Sequence, residues 1–316
     1  MNILIQFFIL VLISFLLIKS LLPFLTKYLI DNPNKRSSHI KPTPNGGGLI
    51  IASLGILYLS SINLFFVIYC IPLAIVSFID DFIKVNYKIR LLIQGFTVSC
   101  IYYNSNLYNL NSGNTIFLNA FISFGIVFIG TGLINFINFM DGLDGLLASS
   151  MTIIIGVIAL KTNIDIFPFI GIIIGFLILN WPPAKIFMGD VGSTFIAAIF
   201  IGLIFESDQL SDSISKLVIA TPILGDAIFT ILARFINGQT LFKPHRLHLF
   251  QRLNIAGWSH LKVTVLYSFM SLILAIIYYQ FGILALISAA FIELIIGFTL
   301  NYFCAIPIKK DSKKKL

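Results

Sequence analysis

Long, nearly uncharged apolar runs constrain this chain more than any other feature. Residues 1–22 hold one charged side chain, Lys19, and comparable runs recur as far as residue 303. About 20 apolar residues suffice for a helix to span the hydrocarbon of a bilayer. With 58% hydrophobic and 11% charged residues in a length of 316, the chain lacks the polar surface to coat a water-soluble globule. Lipid offers no partner to open backbone groups, so spanning elements are helices or a closed barrel. Runs without alternation exclude the barrel. The fold class is therefore all-α, a polytopic membrane bundle. The first run has no basic leader, and Pro23 and Lys27 follow where a small-residue cleavage site belongs, so it reads as a retained helix rather than a signal peptide.

The runs place helices at about 2–22, 46–61, 64–79, 89–103, 117–137, 146–160, 166–180, 193–205, 214–233, 262–279 and 282–303, eleven in all and several of them short. The connections then alternate sides. Of 21 Lys and Arg, Lys161 and Lys216 fall on one side and the other 19 on the opposite one. The positive-inside rule makes the rich side cytoplasmic, with the N-terminus outside and the KKDSKKK tail inside. Loops 23–45, 80–88, 138–145, 181–192 and 234–261 are then cytoplasmic, and they hold Asp80, Asp81, Asp141, Asp144, Asp190 and all four histidines. The outer loops 104–115 and 206–213 are polar without clustered reactive types. The organisation is one transmembrane catalytic domain, 1–305, and a basic cytoplasmic tail, 306–316. The net charge of +8 is explained by basic loops on one membrane face, with no nucleic-acid partner. Cys70, Cys100 and Cys304 lack metal or disulfide spacing and read as packing residues.

Five polar segments interrupt the oil. Asp80 and Asp81 close a helix in SFIDDFIK, where two carboxylates at the hydrocarbon edge favour a cation or a shifted proton; a solvated stop beside Lys84 is the plain alternative. NFMDGLDG spaces Asn138, Asp141 and Asp144 by three, which puts them on one helical face, although polar caps at a helix terminus have the same look. In NWPPAKIFMGDVGST, Gly189 to Ser193 form a tight turn before a helix starting near Ser193, and Asp190 suits a hard cation completed by substrate phosphates. KPHRLHLFQRL offers His245, Arg246, His248 and Arg252 as phosphate donors or as a basic stretch lying on lipid. DNPNKRSSHIKPTPNGGG, with Lys41, is a carrier-phosphate loop or an ordinary anchor. Asp226 and Glu293 lie within helices, as functional acids or interhelical partners.

In chain order, PTPNGGG, DD, NFMDGLDG, FMGDVGS and HRLH resemble the motif series of the polyprenyl-phosphate N-acetylhexosamine-1-phosphate transferases, the group that includes the phospho-N-acetylmuramoyl-pentapeptide transferases. The resemblance spans residues 31–260. It implies a ten- or eleven-helix fold in the bacterial inner membrane, Mg²⁺ with Mn²⁺ as an alternative, a UDP-amino-sugar donor and undecaprenyl phosphate drawn from the membrane lipid as acceptor. A homodimer is compatible with it. It implies that Asp190 ligates Mg²⁺, that Asp80 and Asp81 lie near the carrier phosphate or the metal, and that Asn138 and Asp141 stand at the reaction centre. Asp144, Asn180 and Phe187 match nucleoside-holding positions, with Phe187 stacking on uracil, and His245 and His248 match the histidine motif.

The run HRLHLFQRL departs from the consecutive histidines of the peptidoglycan branch and is more similar to branches that prime O-antigen or other surface glycans. Asn45 departs from the usual residue of PTPxGG. The expected reaction is attack by the carrier phosphate on the β-phosphorus of a UDP-sugar, with UMP leaving and Asp80 or Asp81 deprotonating or orienting the carrier. A two-step route with Asp141 as nucleophile stays open. The same-family alternative is a peptidoglycan-precursor transferase. A transporter, from a different class, requires acids near the midplane with access from both sides. A CDP-alcohol phosphotransferase requires an Ala-Arg pair after the first Asp-Gly, which is absent here.

Overall fold

The computed structural model describes residues 2–33, 37–111, 113–240 and 245–308. Lys35, Arg36 and Lys243, which fall in the basic segments quoted above, and the tail from 309 onward lie outside the described residues. Among the described residues, fourteen α-helices run in chain order: α1 Ile3–Tyr28, α2 Gly48–Ser61, α3 Ile71–Phe82, α4 Tyr87–Tyr103, α5 Asn106–Asn111, α6 Ile116–Phe139, α7 Leu146–Thr162, α8 Phe167–Asn180, α9 Gly189–Phe205, α10 Leu210–Val218, α11 Thr221–Ile236, α12 Leu249–Ile255, α13 His260–Gln280 and α14 Ile283–Phe303. A 3₁₀ turn over Phe65–Cys70 leads into α3. The strands among the described residues, β1 Ile30–Asp31 and β2 Thr43–Pro44, pair antiparallel and pinch the loop between α1 and α2.

Each of the eleven expected segments is helical, but by length and composition five helices cross a bilayer singly, or six if α10 and α11, bent by 76°, form one span. The count of eleven spans is thereby not confirmed by helix length. Helices α2, α7, α8 and α9 are apolar but only 10–17 residues long. Their shortness accompanies enclosure by protein. From Val191 to Phe205 every residue of α9 is buried, against α2, α3, α4 and α6, whereas Phe117 and Phe121 of α6 are 87% and 77% exposed and form a lipid-facing belt.

Between helices in lipid there is no hydrophobic drive, so association relies on close packing and hydrogen bonds. The longest interface, α1 on α8, shows both. A Cβ on Gly171 would stand 2.6 Å from the Phe7 carbonyl oxygen, and one on Gly175 2.5 Å from that of Val11. These two glycines, spaced as G-x-x-x-G, let the backbones touch. Ser14 Oγ then donates to the Ile172 carbonyl at 2.8 Å. Elsewhere Ser77 and Thr194 hydroxyls join α3 to α9 at 2.9 Å, and Asn135 Nδ2 of α6 donates to Gln94 Oε1 of α4 at 2.7 Å. At one end of the bundle Asn106 Nδ2 donates to Asp208 Oδ1 at 2.9 Å, uniting the two polar loops expected to lie outside. The acids and histidines of the other loops gather around a cavity elsewhere.

Candidate active site

The floor of the cavity is the start of α9. The sequence places that start near Ser193; the structure corrects it to Gly189, because Asp81, from the end of α3, caps it. Asp81 Oδ1 accepts the Asp190 N–H at 3.0 Å and Oδ2 the Val191 N–H at 3.4 Å. Such caps satisfy donors that a helix leaves unpaired. Gly189 adopts φ +77°, and a Cβ there would lie 2.6 Å from Asp81 Oδ2; only glycine fits both the angle and the space. Asp190 is thus presented by a rigid helix terminus. Its Oδ2 pairs with Arg90 Nη2 at 2.9 Å, while Arg90 Nη1 pairs with Asp80 Oδ2. Asp80 Oδ1 also accepts the Val85 N–H at 2.6 Å. Asp80 and Asp81 are therefore committed to holding Arg90 and α9, and neither lines the cavity.

The second wall is the turn after α6. Asn138, Asp141 and Asp144 do not share one helical face as their spacing predicts. Helix α6 ends at Phe139 and residues 140–145 are turns, yet all three side chains still reach the cavity. Asn138 Oδ1 accepts from Ser193 Oγ at 2.5 Å, and its amide nitrogen donates to the Asp190 carboxylate, which leaves one N–H for the cavity. Asp144 Oδ2 accepts the Ala184 N–H at 3.1 Å and lies 3.1 Å from His260 Nδ1. Burial alone would raise Asp144, but the His260 and Ala184 contacts outweigh it and hold the carboxyl below its ordinary range. Asp141 accepts no hydrogen bond among the described residues. Burial, then the charges of Asp190, Asp81 and Asp144, push it up to about 8.

Asn180, matched to a nucleoside position, is engaged at both ends: Oδ1 accepts the Gly145 N–H at 2.9 Å and Nδ2 donates to the Ile186 carbonyl at 2.8 Å. It braces the Asp144 turn against the segment that carries Phe187. Phe187 lines the cavity with its ring centroid 4.9 Å from that of His39, an aromatic pair fit to take a flat base. His260 went unrecognised in the sequence, and its other nitrogen lies 3.2 Å from the Ser38 carbonyl. Because both neighbours are acceptors, the ring suits the imidazolium form.

The loop ending in α12 divides its residues. His245 lines the cavity; burial, with His248 and Arg234 nearby, pushes it down to about 3, so it is neutral. His248 does not line the cavity. It is buried, with Nδ1 3.7 Å from Asp226 Oδ1. Asp226, an intramembrane acid by its sequence position, caps α12 by accepting the Leu249 and Phe250 N–H groups at 2.7 and 3.1 Å, and it takes the Tyr267 hydroxyl at 2.7 Å. Arg246 Nη2 donates to Ser38 Oγ at 3.2 Å, tying the loop before α2 to the loop before α12. Lys41 is exposed and stands apart from the cavity. Glu293 is 5% exposed with both oxygens unpartnered, in a separate apolar cavity between α11, α13 and α14.

The result is an open cavity of about 410 Å³ lined by Asp141, Asp144 and Asp190 together with side-chain amides and imidazoles. Arg90 neutralises part of the charge, and Asp141 has no counter-ion. Among the described residues no group of three His, Cys, Asp or Glu forms a preassembled metal cage. The carboxylates of Asp141 and Asp190, facing one cavity, fit Mg²⁺, which binds through one or two carboxylates and takes its remaining ligands from phosphates and water.

Comparison with known proteins agrees with this arrangement. The family model for glycosyl transferase family 4 matches residues 63–208, which carry Asp80, Asp81, Asp141 and Asp190. An undecaprenyl-phosphate alpha-N-acetylglucosaminyl 1-phosphate transferase of Thermotoga maritima is 30% identical over 82% of this chain and 85% of its own length. A probable undecaprenyl-phosphate N-acetylglucosaminyl 1-phosphate transferase of Bacillus subtilis is 29% identical over 75% of this chain and 73% of its own. A phospho-N-acetylmuramoyl-pentapeptide-transferase of Clostridium botulinum is 30% identical over 76% and 83%. Over both its helical frame and its acidic floor, this multi-pass membrane chain belongs to glycosyl transferase family 4.

Proposed function

We propose that the chain transfers an N-acetylamino-sugar 1-phosphate from a UDP-sugar to undecaprenyl phosphate, releasing UMP, at the cytoplasmic face of the bacterial inner membrane. The observation that carries this is the pairing of an unpartnered Asp141 with a helix-mounted Asp190 in a cavity that also holds the aromatic pair Phe187 and His39. The relatives' names supply the carrier lipid, and the excess of Lys and Arg on the loops of this side supplies the orientation.

The base stacks on Phe187 and His39, and the diphosphate lies toward Asp190 and Asp141. Asp190, with Asp141 beside it, would hold Mg²⁺, which would supply charge neutralisation for the two anionic reactants and the departing UMP oxygen. Asn138 donates its amide N–H to a phosphate oxygen. A carrier-phosphate oxygen forms the new bond to the β-phosphorus as the bond to UMP breaks, and the Asp141 carboxylate takes the proton of a monoprotonated carrier phosphate. The sequence expectation gave that task to Asp80 or Asp81; the hydrogen bonds that tie both to Arg90 and the backbone support Asp141 instead. Rate then comes largely from positioning.

Incubating the purified protein with undecaprenyl phosphate, Mg²⁺ and a panel of UDP-GlcNAc, UDP-GalNAc, their 6-deoxy relatives and UDP-N-acetylmuramoyl-pentapeptide, and measuring UMP, tests the reading. Release with an amino-sugar donor is expected, and its loss in Asp190→Asn. The run HRLHLFQRL favours surface-glycan priming over the pentapeptide donor. UMP release with no donor in the panel refutes the proposal.

A further inference from the structure

Gln251 of α12 opens onto the cavity beside Gly142, and its two ends are differently employed. Its Oε1 accepts the His248 N–H at 3.3 Å. That bond fixes the orientation of the amide, because a backbone N–H accepts nothing. Nε2 is thereby the end facing Gly142, where a Cβ would stand 3.4 Å from it. The two Nε2 hydrogens have no acceptor among the described residues, although the residue is only 9% exposed. A nearly buried donor without a partner is costly unless something from the cavity completes it.

The other lining groups have their tasks. Phe187 and His39 suit a flat base, and Asp141 and Asp190 a cation with its diphosphate. Gln251 and His245 face the cavity from the loop that ends in α12, and both are uncharged. Uncharged donors match hydroxyl and acetamido oxygens better than they match phosphates, which favour Arg, Lys or a metal. We propose that Gln251 reads the donor sugar, its Nε2–H donating to a hydroxyl or N-acetyl oxygen of the hexose. This rests on the function proposed above.

The substitution Gln251→Glu tests it, because glutamate keeps the oxygen that accepts the His248 N–H and replaces only the donor. With the UDP-sugar that the wild type uses best, kcat/KM falls by roughly tenfold or more, while competitive inhibition by UDP changes by less than about threefold. UDP carries more negative charge than a UDP-sugar, so repulsion from the new carboxylate registers on UDP at least as strongly. An unchanged kcat/KM, or an equal loss for UDP and the UDP-sugar, overturns the assignment. A wild type that turns over no UDP-sugar refutes the proposed function instead, so the two failures are told apart.

Discussion

Gly189→Ala isolates the claim that the start of α9 is built around Asp81. The added Cβ would stand 2.6 Å from Asp81 Oδ2 and 2.8 Å from Asn45 Oδ1, against the roughly 3.4 Å of an ordinary contact. Asp81 must retreat by about 0.8 Å, which stretches its 3.0 Å bond to the Asp190 N–H beyond hydrogen-bond range. Holding alanine at φ +77° costs about 1–2 kcal/mol, and the weakened cap about 1 more. The expected destabilisation is therefore about 2–3 kcal/mol, seen as a lower melting temperature in detergent. Activity falls further than stability, because Asp190 is the next residue and a displacement near 1 Å at a reacting centre costs about a hundredfold. UMP release at saturating substrates, measured below the melting transition, reads this directly. Gly125→Ala, whose Cβ meets nothing within 4 Å, is the matched control and should leave both quantities unchanged. Activity of Gly189→Ala within about threefold of wild type would refute the reasoning.

Arg90→Met leaves Asp80 and Asp190 facing each other without their shared cation; a loss of at least about tenfold in kcat is expected, partly restored in Arg90→Lys, and equal activity of all three proteins would remove Arg90 from the site. In the metal-free protein Asp141 keeps its proton up to about 8 while the unfolded chain releases it near 3.8. The folded state then binds more protons between those values, so stability declines as pH rises through that window. Melting curves of Asp141→Asn should be flatter there, and an unchanged slope would contradict the burial of Asp141. Asn180→Ala frees the Gly145 N–H and the Ile186 carbonyl, at a cost of about 1–3 kcal/mol each, and should weaken UDP binding by releasing both the Asp144 turn and the Phe187 segment; an unaltered UDP affinity would show that the brace is unnecessary.

What the sequence disclosed follows from which forces act locally. Apolar runs give helices because lipid demands it of any such segment, and the three-residue spacing of Asn138, Asp141 and Asp144 is visible because polar side chains next to glycines stand out against oil. The remaining features are set by partners distant in the chain. Arg90 matters through Asp190, a hundred residues on, and in the sequence it is one more basic residue on the inner side. The start of α9 was placed four residues late because Gly189 and Gly192 read as breakers, and only a carboxylate from another helix makes that turn helical. Asp80 and Asp81 stood out as a pair and were assigned chemistry, yet each has its oxygens filled by backbone or guanidinium donors. Asp141 has no such donor among the described residues. The acids that are conspicuous in sequence thus differ in ways that only the folded chain supplies: Asp80 and Asp81 are held by donors from other segments and stay out of the cavity, Asp190 is paired with Arg90 yet faces it, and Asp141 faces it with no hydrogen-bond partner among the described residues.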